Sequence, residues 1–239
     1  MSKYIVTGGN RGIGACIVED IQTKDPDAQI IIISRQKPDD ALTSKSDGIS
    51  WVQADLSTQE GINATKNTFS GADVLINNAG IMIGKNPFDI SDEERKLMVA
   101  INQNAVVELS LAFIAEHNKN KTKTITRRII NNASIAAQIG HPDMWYGMTK
   151  AAIVNLTKSI AKYHGADGII CNCVAPSTVS TDMMNMIPDE RKKMMKAVAV
   201  TGRFAEPQEI AQTIVWLATQ SPEYMNGACI DINNTIYLR

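Results

Sequence analysis

Short apolar runs alternate with longer stretches of helical period along this chain, and that alternation sets the first expectation. Tyr4-Ile5-Val6 and the run Ile30 to Ile33 are nearly unbroken β-branched segments, as strands are when helices cover both faces of a sheet. Between them Ile13, Ile17 and Ile21 fall four apart, on one face of a helix, and Asp25-Pro26-Asp27 stops it. Further strands are predicted over 49–53, 73–77, 128–133, 169–175 and 228–232, and helices over 58–68, 91–116, 145–164 and 207–219. Strand–helix repetition of this kind predicts an α/β fold on a parallel sheet. No repeat or Gly/Ser linker divides the chain, so one domain over 1–239 is expected. Two segments break the rhythm. The polar connection from Gln36 to Gly48 is short for a full helix. The stretch 177–200 carries Met183, Met184, Met186, Met194 and Met195 of the 11 methionines. Methionine adapts its shape, so this stretch is expected to be a mobile lid over an apolar substrate, with surface helix packing as the plain alternative.

Composition changes the picture only by exclusion. The 239 residues carry 24 basic and 25 acidic side chains, a formal net charge of −1, which gives no electrostatic argument for nucleic acid or an anionic membrane. Four scattered cysteines, two of them as Cys171-x-Cys173 in an apolar run, fit buried strand better than zinc or redox chemistry. No signal peptide and no 18-residue apolar segment is evident, so a soluble cytoplasmic protein is expected. No His/Cys/Asp/Glu grouping has metal-ligand spacing.

The chemistry lies in five short motifs. The first strand ends in Thr7-Gly8-Gly9-Asn10-Arg11-Gly12-Ile13-Gly14, a glycine turn whose backbone N–H groups, with the following helix N-terminus, suit a pyrophosphate. Twenty residues beyond Gly14 stand Ser34-Arg35, where an NAD site usually places an acid for the adenosine 2′-hydroxyl. A guanidinium there, with Arg11 in the glycine turn, points to the 2′-phosphate of NADP(H). Two charge-assisted hydrogen bonds of roughly 1.5–3 kcal/mol each would favour it by around 10² or more. Tyr146 and Lys150 are four apart on one helical face, close enough for an ammonium to lower a phenol pKa. Ser134 follows a strand twelve residues upstream, and Asn77-Asn78-Ala79-Gly80 closes another.

Taken with Asp55 in Ala-Asp-Leu, Asn102, and Pro176 to Thr181, these motifs occur in an order that resembles the short-chain dehydrogenase/reductases, end to end with the single-domain branch of that family. The resemblance implies a doubly wound Rossmann-type fold on a seven-stranded parallel sheet. It implies that Tyr146 exchanges a proton with a substrate oxygen, that Lys150 lowers the tyrosine pKa and holds the nicotinamide ribose, and that Ser134 hydrogen-bonds the substrate oxygen. Asn102 would support a water-mediated proton relay, with Asn104 as the competing assignment. Cofactor contacts would come from Gly8, Asn10, Arg11, Gly12, Ile13 and Gly14, then Ser34 and Arg35. Asp55 and Leu56 would meet the adenine, Asn77, Asn78, Ala79 and Gly80 the adenosine side, and Pro176, Val179 and Thr181 the nicotinamide end. The substrate would touch Ser134, Ala136, Trp145, Tyr146 and Met183, and the family packs as homotetramers or homodimers.

Three departures qualify the match. Ser177 stands where the family usually has glycine. Asp231-Ile232-Asn233-Asn234-Thr235 replaces an acidic-residue–Gly–Gly turn, so an altered subunit contact or pocket edge is expected. Asp167 occupies a place that is usually basic in acyl-carrier-protein reductases, which counts against a carrier-bound substrate. Lys119, Lys121, Lys123, Arg127 and Arg128 are read as a solvated loop, against docking of an acidic partner. His141 is read as a loop residue and not a second acid. The expected activity is NADPH-dependent reduction of a small or medium apolar ketone or aldehyde. The alternatives are 3-oxoacyl thioester reduction and an inactive dinucleotide-binding regulator.

Overall fold

A computed structural model describes residues 2–119 and 126–238. Seven strands form one sheet: β1 (Lys3–Thr7), β2 (Gln29–Ser34), β3 (Ile49–Gln53), β4 (Val74–Asn77), β5 (Arg127–Asn132), β6 (Ile169–Pro176) and β7 (Cys229–Ile232). They lie in the order β3-β2-β1-β4-β5-β6-β7, and every pairing is parallel. The helices are α1 (Gly12–Lys24), α2 (Asp40–Thr43), α3 (Gln59–Thr65), α4 (Asp92–Val99), α5 (Ala105–Lys119), α6 (Met144–His164), α7 (Asp189–Val198) and α8 (Pro207–Thr219). The parallel sheet is what the alternating pattern predicts, and its doubly wound Rossmann-type arrangement is what the family resemblance implies. The link between β2 and β3 holds only the four-residue α2, as its length demands.

Side chains on a strand alternate between faces, and both faces here are buried. Tyr4, Val6, Ile30, Ile32, Ile130 and Val174 pack with Ile17 and Ile21 of α1 and Ile210 and Ile214 of α8. On the other side Ile5, Ile33, Leu75, Ile129 and Cys171 pack with Leu109 and Phe113 of α5 and Ile160 of α6. Cys171 and Cys173 are fully buried in β6, as their apolar setting implies. Strand order turns back on one side of β1 and runs forward from β4. Their C-terminal ends therefore open the crevice where open α/β sheets bind ligands. Two backbone N–H groups, of Asn78 and Ala79, donate to Thr7 Oγ1 at 3.0 Å each, and Asn78 Nδ2 donates to Thr7 O at 3.1 Å, tying those strand ends together.

Three expectations need correction. The helix read as continuous over 91–116 begins with a capping box on Ser91 and Glu94, but a π turn over Ala100–Asn104 separates α4 from α5. Periodicity over a long window averages across one extra residue, which is why the break is invisible in the pattern. The same stretch, Asp92–Lys119, does contain an 18-residue window of mean hydropathy 1.6, long and apolar enough by composition to cross a membrane. Half of that window is buried in the fold. Finally, the basic cluster is not one solvated loop. Lys121 and Lys123 lie outside the described residues. Arg127 donates to Ala72 O, and Arg128 donates to Leu217 O, Ser221 Oγ and Ser221 O. These two guanidiniums bond the ends of other elements to β5 and are not available as a docking patch.

Candidate active site

A cleft of about 840 Å³ runs along the C-terminal ends of the strands, from the glycine turn to the segment around α7. At one end Gly8, Asn10, Arg11, Gly12, Ile13 and Gly14 line it. Gly8 has φ +65°, and a Cβ on Gly14 would lie 1.9 Å from Gly8 O, so the turn closes on itself only with hydrogen at that position. Asn78 Nδ2 also donates to Gly8 O at 3.3 Å. Such a turn leads directly into the N-terminus of α1, the geometry that receives a pyrophosphate.

Ser34, Arg35, Asp55 and Leu56 line the next stretch. The Arg35 side chain is exposed just after the end of β2, with its charge on the cleft lining. Ser34 is already engaged: its hydroxyl donates to Gln36 O at 2.7 Å and accepts from Trp51 Nε1 at 3.0 Å. Arg11 sits across the turn with Nη1 3.4 Å from Asp182, both side chains exposed. Asp55 accepts from the Ser57 N–H at 2.9 Å and the Ser57 hydroxyl at 2.7 Å through Oδ1, and these bonds hold its carboxyl below the usual range. Ala79, Gly80, Pro176, Val179 and Thr181 complete the cofactor-side lining. Asn77 does not. It is buried under the cleft, where its Nδ2 donates to Ser110 Oγ and Asn131 Oδ1, because the inward phase of β4 continues to its last residue.

At the opposite end Ser134, Tyr146 and Lys150 converge. Ser134 begins a single 3₁₀ turn after β5, with Oγ accepting from Ala136 N at 3.1 Å. Tyr146 stands in the first turn of α6, whose N-cap Asp143 accepts the Tyr146 N–H at 3.0 Å. Lys150, one turn later, donates from Nζ to Asn132 O at 2.8 Å and lies 5.8 Å from the Tyr146 ring centre. Burial pushes the Tyr146 phenol up, a hydrogen bond with Ser134 partly offsets this, and the Asp143 carboxylate adds to it. Burial also brings Lys150 down to about 8. The expected lowering of the phenol by Lys150 is therefore not what this structure shows; desolvation dominates both groups.

Asn102 reaches this site because of the π turn. It is buried, accepts the Ile81 N–H at 2.8 Å, and donates to Ile81 O at 2.8 Å and Thr149 Oγ1 at 3.2 Å. It thereby ties the chain after β4 to α6, whereas Asn104 is exposed. A Cβ on Gly80 would come 3.3 Å from Lys150 Nζ and 3.4 Å from Asn102 Oδ1, so this glycine makes room for both.

The substrate end is walled by Ile81, Met82, Ile83, Ile135, Ile139, Met183, Met184, Ile187, Met195 and Ile236. The methionine-rich stretch thus folds into a 3₁₀ turn over Asp182–Met186 and α7, with Met183, Met184 and Met195 facing the cleft while Met194 is exposed. Two anticipated contacts fail. Trp145 points the other way along α6, with Arg95 of α4 5.3 Å from its ring centre, because adjacent helical residues are about 100° apart. Ala136 is buried behind Ser134 and is not part of the wall. His141, by contrast, lines the cleft with its ring 5.3 Å from that of Tyr146. Ile81-Met82-Ile83 could have been suspected as an apolar run outside any periodic element. Ile236 had no signal. It is set by left-handed backbone at Asn234 (φ 49°) and Thr235 (φ 62°), in the turn that replaces the glycine pair.

A family model described as "Enoyl-(Acyl carrier protein) reductase" matches residues 8–234. The 3-oxoacyl-[acyl-carrier-protein] reductase FabG of Haemophilus influenzae is 32% identical, over 98% of this chain and 97% of that protein. The 3alpha-hydroxysteroid dehydrogenase of Mediterraneibacter gnavus is 29% identical, over 96% and 94%. A crystal structure of an Agrobacterium tumefaciens protein with bound NADP superposes with a TM-score of 0.86 at 25% identity, covering 98% of this chain and 95% of that one. The chain belongs to the short-chain dehydrogenase/reductase family. It is an oxidoreductase of that class, with a fold that binds a nicotinamide dinucleotide.

Proposed function

We propose that this protein is an NADPH-dependent reductase of small or medium, mainly apolar ketones or aldehydes, run in reverse on the corresponding alcohols. The observation that carries the reading is the convergence of Ser134, Tyr146 and Lys150 at the foot of a cleft whose far wall is isoleucine and methionine. The residues present fit the cofactor: a glycine turn that a Cβ would fill, then an exposed Arg35 where a 2′-phosphate would lie. NADPH supplies the hydride when bound. Tyr146, kept protonated by burial, delivers a proton to the carbonyl oxygen, and Ser134 donates a hydrogen bond to that oxygen as it gains charge. Lys150 holds the nicotinamide ribose, and Asn102 fixes the backbone between β4 and α6 beside any proton path to Lys150. Arg35 selects NADPH, with Ser34 shaping the backbone beneath it and Arg11 lining the same cleft.

Thioester reduction is the second reading, favoured by the activity named for the 32% identical relative. Against a carrier-bound form stand Asp167, whose carboxylate lies 3.5 Å from His164, and the structural use of Arg127 and Arg128. We place the protein in the cytoplasm as one domain with 177–200 as lid. Cys16, Cys171, Cys173 and Cys229 form no disulfide among the described residues, which suits a reducing compartment. A homotetramer or homodimer is supported by Leu111 of α5 and Met148 and Tyr163 of α6, which are more than half exposed. The test is titration with NADPH and NADH, then turnover against diketones, aldehydes and β-oxo thioesters. Turnover of simple ketones with NADPH supports the first reading and a thioester preference the second. Failure to bind either nucleotide would remove both.

A further inference from the structure

Of the lid's charged groups, Asp182 and Arg191 line the cleft, and catalysis uses neither. Along α7 and its approach, Ile187, Arg191, Met195 and Val198 line the cleft, and 191, 195 and 198 fall at the i, i+4, i+7 spacing of one helical face. Arg191 is half-buried in that face. Several charged groups around it are paired: Lys192 with Asp189 at 3.1 Å, and, along the cleft, Lys85 with Glu94 at 2.6 Å and Arg11 with Asp182 at 3.4 Å. Among the described residues Arg191 has no ion pair and no hydrogen bond.

The Arg191 guanidinium borders a mainly apolar wall of isoleucine, methionine and valine and has no ionic partner among the described residues. Partial removal from water strengthens its attraction for an anion, and its planar fork matches the two oxygens of a carboxylate. Resting on the reductase reading above, we infer that the substrate is an oxo acid: a carbonyl carbon near Tyr146, an aliphatic spacer against Ile187, Met183 and Met195, and a free carboxylate on Arg191. The spacer explains why the wall is mainly apolar, and the carboxylate explains the guanidinium set into it. Arg191 is a specificity residue, remote from the reacting atoms, so its contribution falls on acids and spares neutral ketones.

The experiment compares kcat/KM with NADPH for a series of medium-chain oxo acids and their methyl esters, together with one β-oxo coenzyme A thioester. Wild type, Arg191→Met and Arg191→Lys are assayed, and NADPH affinity is measured by nucleotide fluorescence. Wild type should prefer the acid over its ester by roughly 10- to 100-fold at one chain length. Arg191→Met should abolish that preference while leaving ester turnover and NADPH affinity within about twofold, and Arg191→Lys, which keeps the charge without the fork, should fall between. Ketone and ester turnover without acid preference would overturn this inference and leave the reductase reading standing. So would acid preference that survives in Arg191→Met, a preference for the thioester over every acid, or a loss of NADPH affinity in the variant. No turnover of any carbonyl by NADPH-bound enzyme would overturn the reductase reading and the oxo-acid assignment together.

Discussion

Replacing Lys150 by methionine should remove activity and change how stability depends on pH. Burial holds the Lys150 ammonium at about 8, against 10.5 for the free side chain. The folded chain therefore binds fewer protons than the unfolded chain between those values, and stability rises with pH across that window. Below about pH 8 both states are protonated, and the full cost of burying the charge remains. That cost is about 3 kcal/mol, the shift converted at roughly 1.4 kcal/mol per unit. Lys150→Met has no such term. It loses the bond to Asn132 O, but that loss is independent of pH and shifts its curve without bending it. Urea unfolding of both proteins from pH 7 to 9.5 should show the wild type gaining about 2 kcal/mol relative to the variant, nearly all of it above pH 8. Parallel curves would refute the buried, costly lysine. A wild type that loses stability as pH rises above 8 would reverse the sign and imply an ammonium stabilised by a partner.

Three further outcomes follow from the same geometry. Tyr146→Phe should reduce turnover by at least about 10²-fold with NADPH affinity nearly unchanged, because only the proton donor is removed; equal turnover would exclude Tyr146 as the acid. Arg35→Asp should move preference toward NADH, read from the ratio of kcat/KM for the two nucleotides, and an unchanged ratio would place the 2′-phosphate elsewhere. Gly14→Ala puts a methyl 1.9 Å from Gly8 O, so NADPH affinity should fall more than about tenfold with a lowered Tm; tight NADPH binding by a stable variant would show that the turn opens without cost.

The strands were legible because each is short, apolar and bounded by polar punctuation, and the order of the motifs then located most of the cleft. Ser134, Tyr146, Lys150 and the glycine turn fall where local sequence places them: after a strand, on one face of a helix, and at a strand-to-helix junction. What was not legible depends on rotation about an axis. Trp145 neighbours the tyrosine in sequence yet meets Arg95, since one step along a helix turns the side chain away. Asn77 lies one residue before the cleft and faces the core. Arg127 and Arg128 read as solvated because their carbonyl and hydroxyl partners, Ala72, Leu217 and Ser221, are more than fifty residues distant in sequence. Neither the electrostatic balance at Tyr146 nor the place of the Arg191 guanidinium on the cleft could be read before burial and neighbours were known.

The π turn at Ala100–Asn104 gives the long element from Asp92 to Lys119 two independent angular settings. One extra residue in a helix offsets everything beyond it by about 100°. Asn102 can then be phased to α6 and the cleft, while Leu109 and Phe113 are phased to the sheet. In an uninterrupted α-helix one azimuth would govern both, and satisfying the sheet would swing Asn102 off Ile81 and Thr149. Deleting a single residue within 100–104 would raise local helical regularity and at the same time misalign the site, so at this turn a more regular helix and an intact active site exclude each other.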